Sequence, residues 1–397
     1  ILKACGSIGA IDKGKQIHDE INSRRLLNKD IMLGTALVDM YGKCGALEKA
    51  QEIFEELPAH DVVAWSALIS GYAKHGHDNE ALKCFRQMQD EGISSDTVTI
   101  TCILKVCGSL GSPEIGEEVH ELVKKQGLMD KNIVVGTALM DMYAKCGMLN
   151  KAQEVFEELP VKDVMCWNLL LAGYSQHGHS DKVIKYFEKM KEEDGVRPDA
   201  VTFSCVLKAC GATRSLLMGE TIHSEVRKRG LLATNLILGT ALMDMYAKCG
   251  LLEKAHEVFQ ELLVRDSVSW NALVAAYAQH GFSDDALKCY GKMQGEGITP
   301  DEVTFTCILN VCGIVGSLEM GENIHVEVEK QGLLGKNILL GTALVDMYAK
   351  CGAMGKAQEV FNELSHCDVV TWNALMAGYG QLVHARKVLD LPVKMRA

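Results

Sequence analysis

The chain has little proline, 6 residues in 397, and no surplus of positive charge: 41 Lys and Arg stand against 52 Asp and Glu, a formal net charge of −11. Scarce proline favours helices, because a proline in a helix interior removes a hydrogen bond and clashes with the preceding turn. The acidic balance argues against a protein that gathers nucleic acid by general electrostatics, which normally shows a basic surplus. Long apolar runs are also missing. The longest stretches without Asp, Glu, Lys or Arg, such as Val164 to Ser180, carry Asn, Ser, Gln and His and fall short of the roughly 20 apolar residues of a membrane span. No span is expected. There is no initiator Met, apolar signal core or Arg- and Ser-rich leader, so a chain beginning at Ile1 reads as a mature or shortened chain whose localisation is not directly legible.

What is present excludes further classes. With 37 Gly, 23% charged and 48% hydrophobic residues, collagen-like and disordered chains are ruled out. Length alone, at roughly 150 residues per domain, suggests two or three globular units. Fifteen Cys in a long chain, recurring at fixed places, point to a reducing compartment rather than to a disulfide framework.

Self-comparison replaces the globular estimate. Trp65, Trp167, Trp270 and Trp372 recur about every 102 residues, as do Gly34, Gly136, Gly239 and Gly341. Each interval holds three look-alike units, an elementary period of about 34 that signals an all-α solenoid of tandem helical hairpins. In the first unit type, Trp65, Leu68, Ile69 and Tyr72 lie at helical spacing, then Gly76, then Ala81, Leu82, Phe85 and Met88. Gly76 suits a left-handed C-cap, and Asp78 suits a cap or the first turn of the second helix; Gly178 and Gly281 repeat the device. The second type is expected to carry Cys107-Gly108 in its turn. The third carries Met142-Tyr143-Ala144-Lys145-Cys146-Gly147, followed by Ala152, Val155 and Phe156.

Twelve units result: 1–30 (incomplete), 31–61, 62–96, 97–132, 133–163, 164–199, 200–235, 236–266, 267–301, 302–337, 338–368 and 369–397, a single array over 1–397. The last unit lacks the His-Gly turn, and Leu382 to Leu389 can form only a shortened second helix. The tetratricopeptide repeat, a peptide-binding scaffold of period 34, competes, since Trp65, Leu68, Tyr72, Ala81 and Phe85 fit its spacing. Against it, Ile69 stands where that repeat has Gly, and unit length alternates.

The triplet resembles the pentatricopeptide repeat family, in its plant PLS subclass of alternating P, L and S motifs. The resemblance rests on Val63-Ala64-Trp65 with Gly71-Tyr72-Ala73 for P, Val206-Leu207-Lys208-Ala209-Cys210 with Gly219-Glu220-Thr221-Ile222-His223 for L, and Ala241 to Gly250 for S. It implies a right-handed superhelix binding single-stranded RNA, one base per repeat. It also implies a specificity factor for organellar cytidine-to-uridine editing in chloroplast or mitochondrion. A multiple organellar RNA editing factor and a deaminase in trans are the implied protein partners. An alternative is the targeting part of a cytidine deaminase whose catalytic domain lies elsewhere.

In that family the fifth and last residues of each motif face the base and the second packs on its ring. The second residues are Met32, Val63, Val98, Val134, Met165, Val201, Ile237, Val268, Val303, Leu339 and Val370. They either sandwich a base or simply touch a neighbouring helix. The fifth and last residues are Thr35/Asp61, Ser66/Asp96, Thr101/Asn132, Thr137/Asp163, Asn168/Asp199, Ser204/Asn235, Thr240/Asp266, Asn271/Asp301, Thr306/Asn337 and Thr342/Asp368, followed by Asn373. All are small and polar, and helix N-capping alone prefers such residues. Ionised Asp accepts only, which suits the ring N–H of G or U, whereas Asn can donate to the ring acceptor of A or C. A short Ser or Thr leaves room for a purine, and Asn fills the space beside a pyrimidine. Read from the N-terminus 5′ to 3′, units two to eleven spell GGAGUAGUAG, followed by a pyrimidine at Asn373.

No catalytic residue, metal site or cofactor is expected. His18-Asp19-Glu20, His223-Ser224-Glu225 and His325-Val326-Glu327 give half of the zinc deaminase motif, but the Pro-Cys-x-x-Cys half is missing and the fourth copy reads His120-Glu121-Leu122. Cys44, Cys146, Cys249 and Cys351 lie too far apart to share one tetrahedral site. Cys102/Cys107, Cys205/Cys210 and Cys307/Cys312 read as packing residues. Lys43, Lys145, Lys248 and Lys350 sit at helix C-termini, where a cation complements the dipole.

Overall fold

The computed structural model describes residues 1–381 except 25, 27–29, 130–131, 194, 233–234, 335–336 and 365. Among the described residues there are 23 α-helices and no strand. The chain divides into two compact units, Ile1–Thr202 and Phe203–Ala397.

The first unit contains five successive hairpins, α1 (Leu2–Ile8) with α2 (Ile11–Ser23), α3 (Ile31–Lys43) with α4 (Leu47–Glu55), α5 (Val62–Lys74) with α6 (Asp78–Asp90), α7 (Thr97–Leu110) with α8 (Pro113–Lys125), and α9 (Ile133–Lys145) with α10 (Leu149–Glu158). A sixth joins α11 (Val164–Gln176) to α12 (Ser180–Glu192), and α13 (Ala200–Thr213) begins at its end. In the second unit, the remainder of α13 leads into α14 (Leu216–Lys228). There follow α15 (Leu236–Lys248) with α16 (Leu252–Glu261), α17 (Ser267–Gln279) with α18 (Ser283–Gly295), α19 (Glu302–Val315) with α20 (Leu318–Lys330), α21 (Ile338–Lys350) with α22 (Met354–Glu363), and α23 (Val369–Gln381). Within each unit the first helix of a hairpin packs on the first helix of the next, as α3 does on α5 and α19 on α21, and a second helix packs on its own first helix and on the first helix that follows, as α4 does on α3 and α5.

The alternating unit length has a local cause. The second helix runs 13 residues in α6 and α8 but only 9 in α4 and 10 in α10, α16 and α22. After each short helix a leucine folds back on the glycine that revealed the period. A Cβ on Gly34, Gly136, Gly239 or Gly341 would stand 2.2, 2.3, 2.5 or 2.4 Å from a methyl of Leu57, Leu159, Leu262 or Leu364. The missing side chain is the space the leucine fills. The periodic tryptophans seal the next junction: Phe54, Phe156, Phe259 and Phe361 meet Trp65, Trp167, Trp270 and Trp372 edge-on at 4.5 to 4.7 Å between centroids. Such a pair contributes roughly 0.5–1.5 kcal/mol beyond its buried area.

One local expectation narrows and another changes. Gly76 is left-handed, φ 75°, and His77 N–H closes on Tyr72 O at 3.0 Å, but Asp78 does not cap α6. The N-cap is His77, with no side-chain cap bond, and Asp78 occupies the first turn, where a carboxylate favours the dipole. Cys107-Gly108 is not the turn either. Both are buried inside α7, which continues to Leu110 and ends at left-handed Gly111. Gly108 is needed where it is because its Cα region faces the next hairpin, with Lys145 Cδ 3.1 Å and Met142 Cα 3.4 Å from a notional Cβ. The divergence expected at Leu382 to Leu389 lies outside the described residues.

Candidate nucleic-acid interface

The last residue of each repeat sits just before the first helix of the next, and Asp61, Asp96, Asn132, Asp163, Asn235, Asp266, Asp301 and Asn337 are N-caps in extended backbone. Asp61, Asp96, Asn132, Asp163, Asp199, Asn235, Asp266, Asp301, Asn337 and Asp368 each accept a backbone N–H of the first turn at 2.8 to 3.0 Å. The capping role weighed from the sequence is therefore filled at all ten positions. In all ten the acceptor is Oδ1, the atom that Asp and Asn have in common. Asp and Asn cap about equally well. The choice between them is written in the other terminal atom, an acceptor Oδ2 in Asp and a donor Nδ2 in Asn.

The fifth residues, one turn into the helix, fall into three groups. Ser66, Asn168, Asn271 and Thr342 reach across to the next repeat. Ser66 Oγ donates to Asp96 Oδ1 at 3.0 Å and lies 2.6 Å from Thr99 Oγ1. The Asn168 amide faces both oxygens of Asp199 at 3.0 and 3.1 Å, and that of Asn271 both oxygens of Asp301 at 2.8 and 2.9 Å. Thr342 Oγ1 lies 2.6 Å from Thr371 Oγ1. Thr101, Thr137, Thr240 and Thr306 instead donate to carbonyls of their own helix, those of Thr97, Val134, Leu236 and Glu302 among them. Thr35 is buried with its hydroxyl unpartnered. Ser204 is half-buried and Asn373 exposed.

Burial works to raise the pKa of Asp199, but hydrogen bonds from the Thr202 N–H, the Asn168 amide and the Thr202 hydroxyl outweigh it and hold the carboxyl below its ordinary value. The Thr371 N–H, then its hydroxyl, lower that of Asp368. Both stay charged acceptors at neutral pH.

The eleven second residues form an exposed apolar series, from 52% exposure at Val98 and Val201 to 82% at Met32. Each keeps more than half of its surface exposed, so no neighbouring helix buries it. In the first unit a groove of ≈ 780 Å³ brings Met32, Thr35, Asp61, Val63, Ser66, Asp96 and Val98 onto one surface, with Lys3, Asp39 and Lys43 beside them. Lys43 Nζ meets Asp39 Oδ2 at 2.7 Å, and the i, i+4 pair recurs at Lys145–Asp141, Lys248–Asp244 and Lys350–Asp346.

Two features escaped sequence reasoning. Asp39 shares the groove with Lys43, and a buried hydroxyl stands three residues after five of the capping Asp residues, at Thr99, Thr202, Ser269, Thr304 and Thr371. The signal was the recurring Asp-x-x-Thr/Ser at 96, 199, 266, 301 and 368, a capping-box spacing.

The histidines of the half-motif are tied elsewhere. Nδ1 of His18, His120, His223 and His325 lies 2.8 to 3.1 Å from the hydroxyl of Tyr41, Tyr143, Tyr246 and Tyr348, joining neighbouring hairpins. Burial lowers the pKa of His18, His120 and His223. Among the described residues no cluster of three His, Cys, Asp or Glu could hold a metal ion. Cys107, Cys210 and Cys312 are buried, and burial pushes their thiols up to about 12, 11 and 11; Cys44, Cys102, Cys146, Cys205, Cys249, Cys307 and Cys351 are half-buried rather than buried.

Tandem hairpins whose helix caps, fifth residues and exposed apolar residues recur in register define an α-helical repeat protein of the solenoid class. Residues 60–109, 162–212 and 265–313 match the PPR repeat family, and residues 35–62, 137–164, 240–267, 342–369 and 370–396 match the PPR repeat. The chain belongs to the pentatricopeptide repeat family, and the tetratricopeptide alternative is set aside. A mitochondrial pentatricopeptide repeat-containing protein of Arabidopsis thaliana is 33% identical over 381 residues, covering 96% of this chain and 54% of that protein. A chloroplastic one from the same plant is 36% identical over 325 residues, covering 82% and 52%. The chain thus spans about half the length of these relatives. The pentatricopeptide repeat protein PPR10 from maize shares the fold, with a TM-score of 0.75 at 19% identity over 99% of this chain and 58% of that one. PPR10 in complex with an 18-nt psaJ RNA element matches with the same TM-score over 94% and 56%.

Proposed function

We propose that the chain is one PPR array of the PLS type that selects single-stranded RNA, one base per repeat, with a target near 5′-GGAGUAGUAG-3′ followed by a pyrimidine. The observation that carries this reading is the division of labour within the capping side chain. Oδ1 holds the helix, and the atom that distinguishes Asp from Asn takes no part in the cap: Oδ2 of Asp199 and Asp301 accepts from the Asn168 and Asn271 amides, and Nδ2 of Asn132 and Asn337 faces Thr97 and Glu302, beside exposed apolar side chains of the kind that pack on a base. Capping explains why these residues are small and polar; it does not explain why both types occur. The solved complex of PPR10 with RNA supports the ligand class.

The same reading turns the net charge of −11 to use. Asp61, Asp96, Asp163, Asp266 and Asp368 accept from guanine, and Asp199 and Asp301 from uracil. Base-edge contacts of about 1 kcal/mol each, repeated over ten positions, give selectivity without a basic surface. The chain acts as the specificity part of organellar C-to-U editing, with deaminase activity supplied by another segment or a partner in trans and a multiple organellar RNA editing factor as a further partner. Relatives named mitochondrial and chloroplastic support an organellar setting.

Titration of labelled GGAGUAGUAG and a scrambled oligonucleotide at moderate salt tests the reading. Asn271→Thr moves the preference at the eighth nucleotide from U towards G; an unchanged preference there refutes the assignment.

A further inference from the structure

The hydroxyl at the third position of a repeat touches the base-reading pair of the repeat before it. Thr202 Oγ1 lies 2.6 Å from Asn168 Oδ1 and 3.0 Å from Asp199 Oδ1. Thr304 Oγ1 hydrogen-bonds Asn271 Oδ1 and lies 3.1 Å from Asp301 Oδ1. Both threonines are fully buried. A helix-capping role alone needs only the bond to the Asp, and Ser269 shows that the two roles are separable. It completes the capping box with Asp266 while Thr240 of the preceding repeat bonds its own helix. Where the third residue is apolar, at Val135 and Leu340, the fifth residues Thr101 and Thr306 likewise turn to their own helix.

We infer that Thr202 and Thr304 are positioning residues for pyrimidine selection, holding the Asn168 and Asn271 amides in the one orientation that distinguishes uracil from cytosine. The reasoning rests on the base-reading function proposed above. A primary amide can present either a carbonyl or an N–H. The threonine hydroxyl donates to the amide oxygen and so fixes which end faces the carboxylate. One amide N–H then faces the Asp, and the second N–H remains for a ligand. The pair offers a donor beside an acceptor. That pattern matches uracil, which has a carbonyl oxygen beside a ring N–H, and mismatches cytosine, whose ring nitrogen accepts. Without the hydroxyl the amide is free to turn over and present its oxygen beside the carboxylate, and the pattern is lost.

The test measures binding of the full chain to GGAGUAGUAG and to versions with C, A or G at the eighth nucleotide, read by Asn271 and Asp301, or at the fifth, read by Asn168 and Asp199. Wild type prefers U at both by on the order of fivefold to a hundredfold. Thr304→Val reduces U over C at the eighth nucleotide to less than about twofold while keeping the preference at the fifth, which serves as the folding control in the same molecule. Thr202→Val does the reverse, and Thr304→Ser keeps the wild-type ratio at the eighth. If Thr304→Val leaves the U to C ratio unchanged, or weakens all four bases equally, the hydroxyl only caps the helix and the positioning role is refuted. Wild type without a U preference at the eighth nucleotide refutes the base reading itself, and the positioning role with it.

Discussion

Asp163 offers the cleanest separation of helix capping from base reading. It is exposed, and its Oδ1 accepts the Cys166 N–H at 2.9 Å, while Thr137 of the same repeat bonds its own helix. Asp163→Asn keeps the oxygen that caps α11 and replaces the opposite acceptor with a donor. Capping strength is nearly equal for the two residues; the lost charge removes about 0.3–1 kcal/mol of dipole stabilisation at the helix start. Asp163→Ala removes the cap as well, costing about 1 kcal/mol within the range for such losses. Native-state hydrogen exchange over the first turn of α11 reads the local effect, which suits a repeat array better than a single melting temperature. Exchange rises by about fivefold in the Ala variant and less in the Asn variant. RNA binding moves differently. Asn at 163 shifts the fourth nucleotide from G to A with a change of about 1–3 kcal/mol in relative affinity, and Ala abolishes preference there. The reasoning is refuted if Asp163→Asn disturbs α11 as much as Ala does, or if the fourth nucleotide stays G.

Other consequences follow from the packing and from the exposed series. Gly239→Ala places a Cβ 2.5 Å from Leu262 Cδ2, an overpacking of about 1–3 kcal/mol; the double variant with Leu262→Ala should be less destabilised than the sum of the singles, and strict additivity in denaturant melts would contradict the contact. Val268→Asp, at a side chain 56% exposed, leaves helix content and stability within about 0.5 kcal/mol but lowers RNA affinity in anisotropy titrations; equal affinity would remove Val268 from the interface. Burial holds the His120 pKa below 6.5, so as the pH falls past 6.5 the unfolded chain takes up the proton first. Stability at the α8–α9 junction is present above that pH and declines below it. Protection of the α8 amides, measured relative to their intrinsic exchange rate at each pH, should fall between pH 7 and 5, and an unchanged protection would contradict the buried neutral state.

The helical architecture was legible because each hairpin repeats the same spacing of large apolar residues, and the periodic Trp and Gly mark contacts that tolerate no substitution of size. Trp65 needs Phe54, and Gly34 needs Leu57, so both recur in step. The placement of Cys107-Gly108 was not legible. A small residue signals a close approach as readily as a turn, and only the packing of α7 on α9 separates the two. Asp78 was ambiguous for a similar reason, since a carboxylate near a helix start acts as a cap or through the dipole with the same residue type. At the candidate interface, the ten pairs were visible as a pattern of polar residues. The shared use of Oδ1 was not, because it depends on which atom faces the helix. The buried hydroxyls at Thr202 and Thr304 escaped because a threonine in a first helical turn is ordinary until its neighbour across the repeat is known.

The central claim is that the order of Asp and Asn caps, with their fifth-residue partners, is an order of bases. Selection of RNA from a random pool against the purified chain tests this most directly, because it presupposes no target. Enrichment of GGAGUAGUAG with a following pyrimidine, read from the sequenced survivors, is the predicted result. Enrichment of an unrelated sequence, or binding with no preference at the positions assigned to Asp and Asn, would contradict the account.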